Sequence, residues 1–303
     1  MTRTIWGLTP VLAFWGLMVP ACLVGNGVSD TTATTATAAL PAWNTSLISR
    51  LAGSQAGFSN WAEGGINTLA LSLGLEGKAM QTVGSWAQTH ELRLTFGLVK
   101  QDTLNVRKAE DVIRLSSSFR FQGDGFFRHF KPTLAASARS QFAPGYNFDK
   151  DPLGLGLRPP VKVSDLFSPA TFNQTIGLTY DPNPWFKQRF GVGVKETVVM
   201  IERIRPLYKV DPDKTSRLEL GLEAHTEVDK ELAENIRYRS EVGLFAAFNK
   251  ADVPDMMWEN LIAMKVNTWL GVNFDFAVLF DRDVSSTVQM KEVFSVGVSV
   301  AVI

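Results

Sequence analysis

Thr68-Leu69-Ala70-Leu71-Ser72-Leu73-Gly74-Leu75-Glu76 decides the fold class. Leu69, Leu71, Leu73 and Leu75 share one parity, and Thr68, Ala70, Ser72, Gly74 and Glu76 share the other. A period of two belongs to an extended strand with one face in an apolar medium and one in a polar medium. The alternation continues in segments of about ten to fifteen residues from Ile66 to Val302. Strands in soluble proteins average about 5–6 residues, whereas a strand crossing a bilayer needs roughly 9–11. The pattern therefore predicts an all-β, transmembrane, antiparallel up-and-down β-barrel.

Clusters of Gly, Pro, Asn and Asp mark the breaks between segments. They predict strands over 44–57, 66–79, 86–100, 111–122, 128–142, 172–181, 187–201, 216–228, 232–248, 258–266, 270–280 and 288–302, twelve in all. The stretch Trp258 to Phe280 is too long for one crossing at roughly 3.3 Å per residue. A turn at Asn267, Thr268 and Trp269 divides it, which pairs Val266 with Leu270, Met264 with Val272 and Ile262 with Phe274. Parity supports twelve rather than ten strands. With twelve, the short links at Met80–Ser85, Gly123–Phe127, Pro182–Phe186, Asp229–Glu231 and Asn267–Trp269 are periplasmic turns. The long links, 101–110, 143–171, 202–215 and 249–257, are then extracellular loops, the usual arrangement of outer-membrane barrels.

Aromatic placement agrees. Trp86, Phe126, Phe127, Trp185, Phe186 and Trp269 lie at short turns, and Trp61, Phe142, Tyr146, Phe148, Phe172, Tyr208 and Trp258 gather near long loops. Two belts imply two interfaces. A soluble barrel also alternates, but its polar face is a water-facing surface rich in Lys and Glu. Here that face mixes Gly97, Gly177, Gly191, Gly193, Gly221, Gly243, Gly271 and Gly297 with Arg93, Arg139, Lys195, Glu223, Arg239 and Lys265, which suits the crowded wall of a narrow lumen. Glu196 and Glu292 break the apolar face near its outer rim.

The 303 residues carry 30 basic and 30 acidic side chains, so no basic surface points to nucleic acid as a partner. Arg3 followed by an uncharged run from Ile5 to Val24 reads as an export signal over 1–28, with a Ser/Thr/Ala-rich linker over 29–43 and the barrel over 44–303. Pro10 and Pro20 interrupt that run, which favours its removal over a spanning helix. Val19-Pro20-Ala21-Cys22 resembles a lipoprotein cleavage box, although Pro20 fits it poorly. Cys22 is the one cysteine and lies in the leader, so no disulfide or thiolate metal site is expected; His90, His129 and His225 are too scattered for a metal. No cofactor is expected. The expected partners are outer-membrane lipids, the machinery that assembles such barrels, and a small solute, with the chain acting as a monomer in the bacterial outer membrane.

Several motifs resemble the domain of unknown function 3078 family, uncharacterised outer-membrane barrels of Bacteroidota and their relatives. They are Phe58-Ser59-Asn60-Trp61-Ala62 with Gly64, Gly65 and Asn67; Gly97-Leu98-Val99-Lys100-Gln101; Gln141-Phe142-Ala143-Pro144-Gly145-Tyr146-Asn147; Met264-Lys265-Val266-Asn267; and Met290-Lys291-Glu292-Val293-Phe294-Ser295-Val296-Gly297. Arg107-Lys108-Ala109-Glu110-Asp111 stands where that family tends to carry Arg-Lys-Thr-Asp-Asp, and the chain ends in Ile303 rather than in an aromatic residue. The resemblance implies a location and no activity.

Lumen-lining charge is the main functional signal. Arg217, Glu219, Glu223, His225 and Glu227 share the polar parity of the eighth predicted strand, and Arg237, Arg239 and Glu241 that of the ninth. A turn near Lys230 would bring Glu223 or His225 beside Arg237 and Arg239. Such a ladder lines a charged pore or fills the interior. The Pro-rich loop from Ala143 to Thr171 carries Leu153, Leu155, Leu157 and Phe167 and, with Phe142, Tyr146 and Phe148, is expected to fold over or into the mouth. Hydrolysis needs a Ser and an oriented His on one face, and His90, near a periplasmic turn, is expected to have no adjacent serine on its face, so no catalytic residue is assigned. A pore or facilitator for a small or amphipathic solute is the leading expectation. A closed structural or binding barrel is the alternative, and a lipid-modifying enzyme the third.

Overall fold

The structure, a computed structural model, describes residues 42–56, 66–102, 104–250, 253–283, 285 and 287–301. The expected export signal, Cys22, most of the 29–43 linker, the Phe58–Ala62 motif with Gly64 and Gly65, and Ile303 lie outside the described residues.

Twelve strands close into one antiparallel barrel. They are β1 (Asn44–Ala56), β2 (Thr68–Val83), β3 (Trp86–Gln101), β4 (Arg107–Phe121), β5 (Phe130–Ser140), β8 (Ala170–Asn183), β9 (Phe186–Val198), β10 (Ser216–Ala233), β11 (Ile236–Ala247), β12 (Asp255–Lys265), β13 (Leu270–Phe280) and β14 (Gln289–Ala301). A two-stranded hairpin, β6 (Gly145–Asn147) with β7 (Val161–Ser164), sits inside the long link between β5 and β8. Each barrel strand pairs with its neighbours in the chain, allowing for that hairpin, and β1 pairs with β14 from Ile48↔Ala301 to Gly53↔Val296 to close the ring.

The apolar parity faces outward. Leu71 is 52 % exposed, Ile176 68 %, Leu218 64 % and Phe294 65 %. A folded soluble domain buries such rows, and a continuous outer belt of them belongs against hydrocarbon. The wall's polar parity turns inward, and a belt of exposed Trp86, Phe126, Phe127, Trp185 and Trp269 surrounds the short-turn end.

The predicted division of Trp258–Phe280 holds: Met264 pairs with Val272 and Ile262 with Phe274, and Asn267 Oδ1 accepts the amides of Trp269 and Leu270 at 2.9 and 2.7 Å. Several strand ends differ from the sequence expectation, β4 beginning at Arg107 rather than at 111 and β12 at Asp255 rather than at 258, and two connections change. The β10–β11 turn is at Glu234 and Asn235, not at Asp229–Glu231, because Asp229 and Glu231 stay in register with Arg239 and Arg237. Between β4 and β5 a one-turn helix, α1 (Phe126–His129), replaces the predicted start of a strand, and Phe126 stacks on Phe130 at 5.0 Å.

The apolar core lies at the long-loop end, not inside the wall. Val199, Ile204 and Val210 are buried, with Leu153, Ile201, Leu207 and Tyr208 packed around them. A 3₁₀ helix, Glu202–Tyr208, thus joins the β6–β7 link into one cap. Tyr208 Oη donates to the Val163 carbonyl at 2.8 Å, and burial pushes its phenol up to about 12. Tyr208 was expected in the outer aromatic belt; it belongs to this cap instead.

The family-like wording at 107–111 and 141–147 serves as the cap's anchor. The Asp111 carboxylate accepts the amides of Phe142 and Ala143 at 2.7 and 2.8 Å. Lys108 Nζ donates to Asp111, Gln141 Oε1 and the Ala143 carbonyl. A Cβ on Gly145 would lie 2.2 Å from Ser164 Oγ, so any other residue there would displace that hydroxyl from its hydrogen bond to Gln141 Oε1.

Candidate functional site

Antiparallel register sets like charges side by side on two opposing walls. Arg93 on β3 pairs with Arg114 on β4, which pairs with Arg139 on β5. On the other side Glu227 on β10 pairs with Glu241 on β11, which pairs with Glu259 on β12. Like charges directly opposite one another destabilise a sheet. Here Arg93 and Arg114 meet Glu241 and Glu259 through the lumen, while Glu227 is held by Lys187 of the adjacent β9. In the ring order β3 stands six places from β11 and β4 six places from β12, the full diameter of a twelve-strand barrel.

The contacts span that diameter. Arg114 grips Glu259 with both ends of its guanidinium, Nη1 to Oε2 at 2.7 Å and Nη2 to Oε1 at 2.9 Å, and reaches Glu241 at 3.3 Å. Arg93 lies 3.4 Å from Glu259, 3.7 Å from Glu241 and 4.0 Å from Glu76. Glu76 in turn holds Arg50 at 2.5 Å and Arg239 at 3.3 Å. Bidentate guanidinium–carboxylate pairs are both strong and directional. Five arginines (Arg50, Arg93, Arg114, Arg139 and Arg239) and three glutamates from seven strands thereby form a brace across mid-lumen.

Smaller groups flank it. Toward the short-turn end Asp181 binds Arg120 and Lys131, Lys187 binds Glu227, and Asp229 binds Arg237. Toward the long-loop end Lys195 lies between Asp255 at 2.6 Å and Asp281 at 3.0 Å, and Asp283 holds both Arg217 and Lys250. Burial pushes the Asp283 carboxyl up, but its hydrogen bonds from Lys250 and Arg217 outweigh that and hold it below the usual carboxylate range. A cavity of about 330 Å³ opens here, lined in part by Lys209, Glu219, Lys250, Arg282 and Asp283.

Of the residues singled out from sequence, Arg93, Arg139, Arg239 and Glu241 meet in the brace. Glu223 binds Arg189 at 2.6 Å and accepts from the Thr175 hydroxyl, Glu219 is in the mouth group with Arg217 and Lys250, and Lys265 is exposed at the short-turn end. The expected meeting of Glu223 or His225 with Arg237 and Arg239 does not occur. The longer β10 shifts the register, so His225 stands opposite Gly243 and Glu223 opposite Phe245. In the cap Leu153 packs against the small core, whereas Phe142, Tyr146, Phe148 and Leu155 are exposed rather than inserted in the lumen. Glu196, expected at a solvated rim, is 3 % exposed between Phe172 and Leu218.

Sequence reasoning missed Arg50, Glu76, Arg114, Met257 and Glu259 as brace members. It also found no serine for His90, yet β3–β4 register puts Ser117 directly opposite, with Oγ 2.9 Å from His90 Nδ1. The imidazole packs beside Trp43 and Phe119, and its Nε2 is buried with no partner among the described residues. A hydrolytic Ser–His pair needs a third group to orient the ring, and none is seen at this nitrogen.

Residues 54–146 match the family model described as protein of unknown function (DUF3078). That match covers less than half of the chain and agrees with the resemblance read from its motifs at 58–67, 97–101 and 141–147. It contains the cap anchor and the arginine row. No curated protein matches the sequence. Among solved structures, an outer membrane channel from Pseudomonas putida F1 is similar at 8 % identity and a TM-score of 0.36, covering 86 % of this chain and 95 % of that one. The translocator domain of autotransporter NalP from Neisseria meningitidis gives 8 % identity and 0.35, covering 84 % and 86 %. The NanC porin gives 7 % and 0.33, covering 83 % and 97 %.

Proposed function

We propose that the chain is a monomeric, non-enzymatic barrel of the bacterial outer membrane whose lumen is shut at mid-depth by the arginine–glutamate brace, and that it serves as a binding or structural barrel. The observation that carries this is the diametric pairing of Arg93 and Arg114 with Glu241 and Glu259. Side chains that meet from opposite walls obstruct the lumen at that level, which supports the closed reading. The outward apolar belt supports residence among outer-membrane lipids, reached through the assembly machinery that inserts such barrels, with the short turns in the periplasm and the cap outside. The unaccompanied His90–Ser117 pair supports a non-catalytic reading.

A pore for a small solute is the second reading. The cavity at the mouth favours it, since a path that opens by rearranging the brace would begin there. Planar-bilayer recording separates the two. The closed reading expects no steps from the unaltered protein and conductance after Glu241→Gln together with Glu259→Gln. Stable steps from the unaltered protein would overturn it and leave the pore.

A further inference from the structure

The brace is not electrically balanced. Arg50, Arg93, Arg114, Arg139 and Arg239 share Glu76, Glu241 and Glu259, and among the described residues the further acid within 4 Å of this set, Asp229, is itself bound to Arg237. The shortfall falls on Arg139. Its nearest carboxylate, Glu259, is 3.7 Å away and already gripped by Arg114 on both oxygens. Glu110, on the neighbouring strand β4, is taken by Lys291 at 2.5 Å.

What Arg139 does contact is a thioether. Its Nη1 lies 2.7 Å from Met257 Sδ, and Arg114 Nη2 approaches the same sulfur at 3.6 Å. Sulfur of this kind is a weak acceptor, so Arg139 gains little there, whereas Arg114 Nη2 is already bonded to Glu259 Oε1 at 2.9 Å. The place is also open to solvent: the Arg139 side chain is 39 % exposed although it points inward, against 14 % for Arg114. Arg139 and Met257 both lie in the long-loop halves of their strands, on the mouth side of the brace.

We propose that Arg139, with Arg114 beside it, forms a binding station for a soluble oxyanion or carboxylate that enters from the long-loop end and takes the place next to Arg139 that the flexible Met257 thioether fills. The planar guanidinium of Arg139 matches such groups in bidentate fashion, and Arg114, though bound to Glu259, adds positive charge beside it. The station deepens the binding reading above and rests on it for access from one end only. Binding is measured on the folded barrel in detergent micelles, so a failure of the closed-lumen reading in bilayers leaves this test intact.

The experiment is calorimetric titration with inorganic phosphate and with acetate, at fixed ionic strength set by sodium chloride. The unaltered barrel should bind phosphate at one site. Arg139→Gln should weaken it at least tenfold. Met257→Glu, which sets a carboxylate between the two arginines, should abolish binding while leaving the barrel folded, and covers the case in which Arg139→Gln fails to fold. Arg282→Gln in the mouth should leave the affinity unchanged. Absence of phosphate and acetate binding by the unaltered barrel, or equal affinity in Met257→Glu, would overturn the proposal. Loss of binding only in Arg282→Gln would overturn it too, by moving the anion to the mouth.

Discussion

Glu259→Gln tests whether the brace holds the barrel together. Glu259 accepts two hydrogen bonds from Arg114 and lies within 4 Å of Arg93 and Arg139, with its side chain 22 % exposed. Glutamine keeps the shape and one acceptor oxygen but removes the charge. Breaking a buried ion pair from one side costs about 3–5 kcal/mol, because the cation left behind is uncompensated. Partial lumen exposure reduces that, and about 2–4 kcal/mol is expected here, a shift of roughly thirty- to seven-hundred-fold in the folding equilibrium. Glu227→Gln is the internal control. It removes a single pair to Lys187 between adjacent strands, with side chains 32 % and 25 % exposed, and should cost about 0.5–1 kcal/mol. Urea unfolding in lipid vesicles, read through the tryptophans from Trp43 to Trp269, measures both. Equal costs for the two variants would refute the view that the diametric contacts carry the load.

Three further outcomes are expected. A cysteine at Asp149 should react with an impermeant reagent on intact cells and one at Asn183 should not; the reverse pattern would invert the barrel. Gly221→Ala should destabilise by about 1–3 kcal/mol because its Cβ would sit 2.3 Å from the Ala246 carbonyl, whereas Gly243→Ala, whose nearest neighbours are 3.9 Å away, should not destabilise; similar unfolding midpoints would contradict the close approach of β10 and β11. For Asp283 the folded carboxyl is held below the usual range, so its contribution is complete above the unfolded value near 3.9 and is lost as pH falls through the folded one. Asp283→Asn should therefore flatten the acid loss of stability below about pH 4, and parallel curves for the two proteins would count against the Lys250–Asp283–Arg217 group.

The wall was legible because each of its residues answers a local question. Leu69, Leu71 and Leu73 are exposed and Glu76 points inward for the same reason that they alternate in the chain, and the same rule placed all twelve strands. It failed where both faces are polar. Around Asp229, Lys230 and Glu231 the outward residue is Lys230, which lies over the Trp185 ring at 4.8 Å, so no apolar row marks the last turn of the strand. It failed again for Ser117, whose neighbour His90 is adjacent only through β3–β4 register.

The brace lay beyond sequence for a geometric reason. Which residues share a lumen wall follows from parity, but which ones meet across the lumen depends on strand count, register and stagger together. Once the registers are known, the signal is plain. Arg93, Arg114 and Arg139 form one row of cations and Glu227, Glu241 and Glu259 one row of anions, and neither row is tolerable on its own wall. Such a pairing favours complete closure of the barrel over partly formed sheets, because an open sheet would hold each like-charged row without its partner. The brace thus helps to specify a closed twelve-strand ring. Arg139, whose nearest carboxylate is shared and 3.7 Å away, is where the proposed anion would meet that ring.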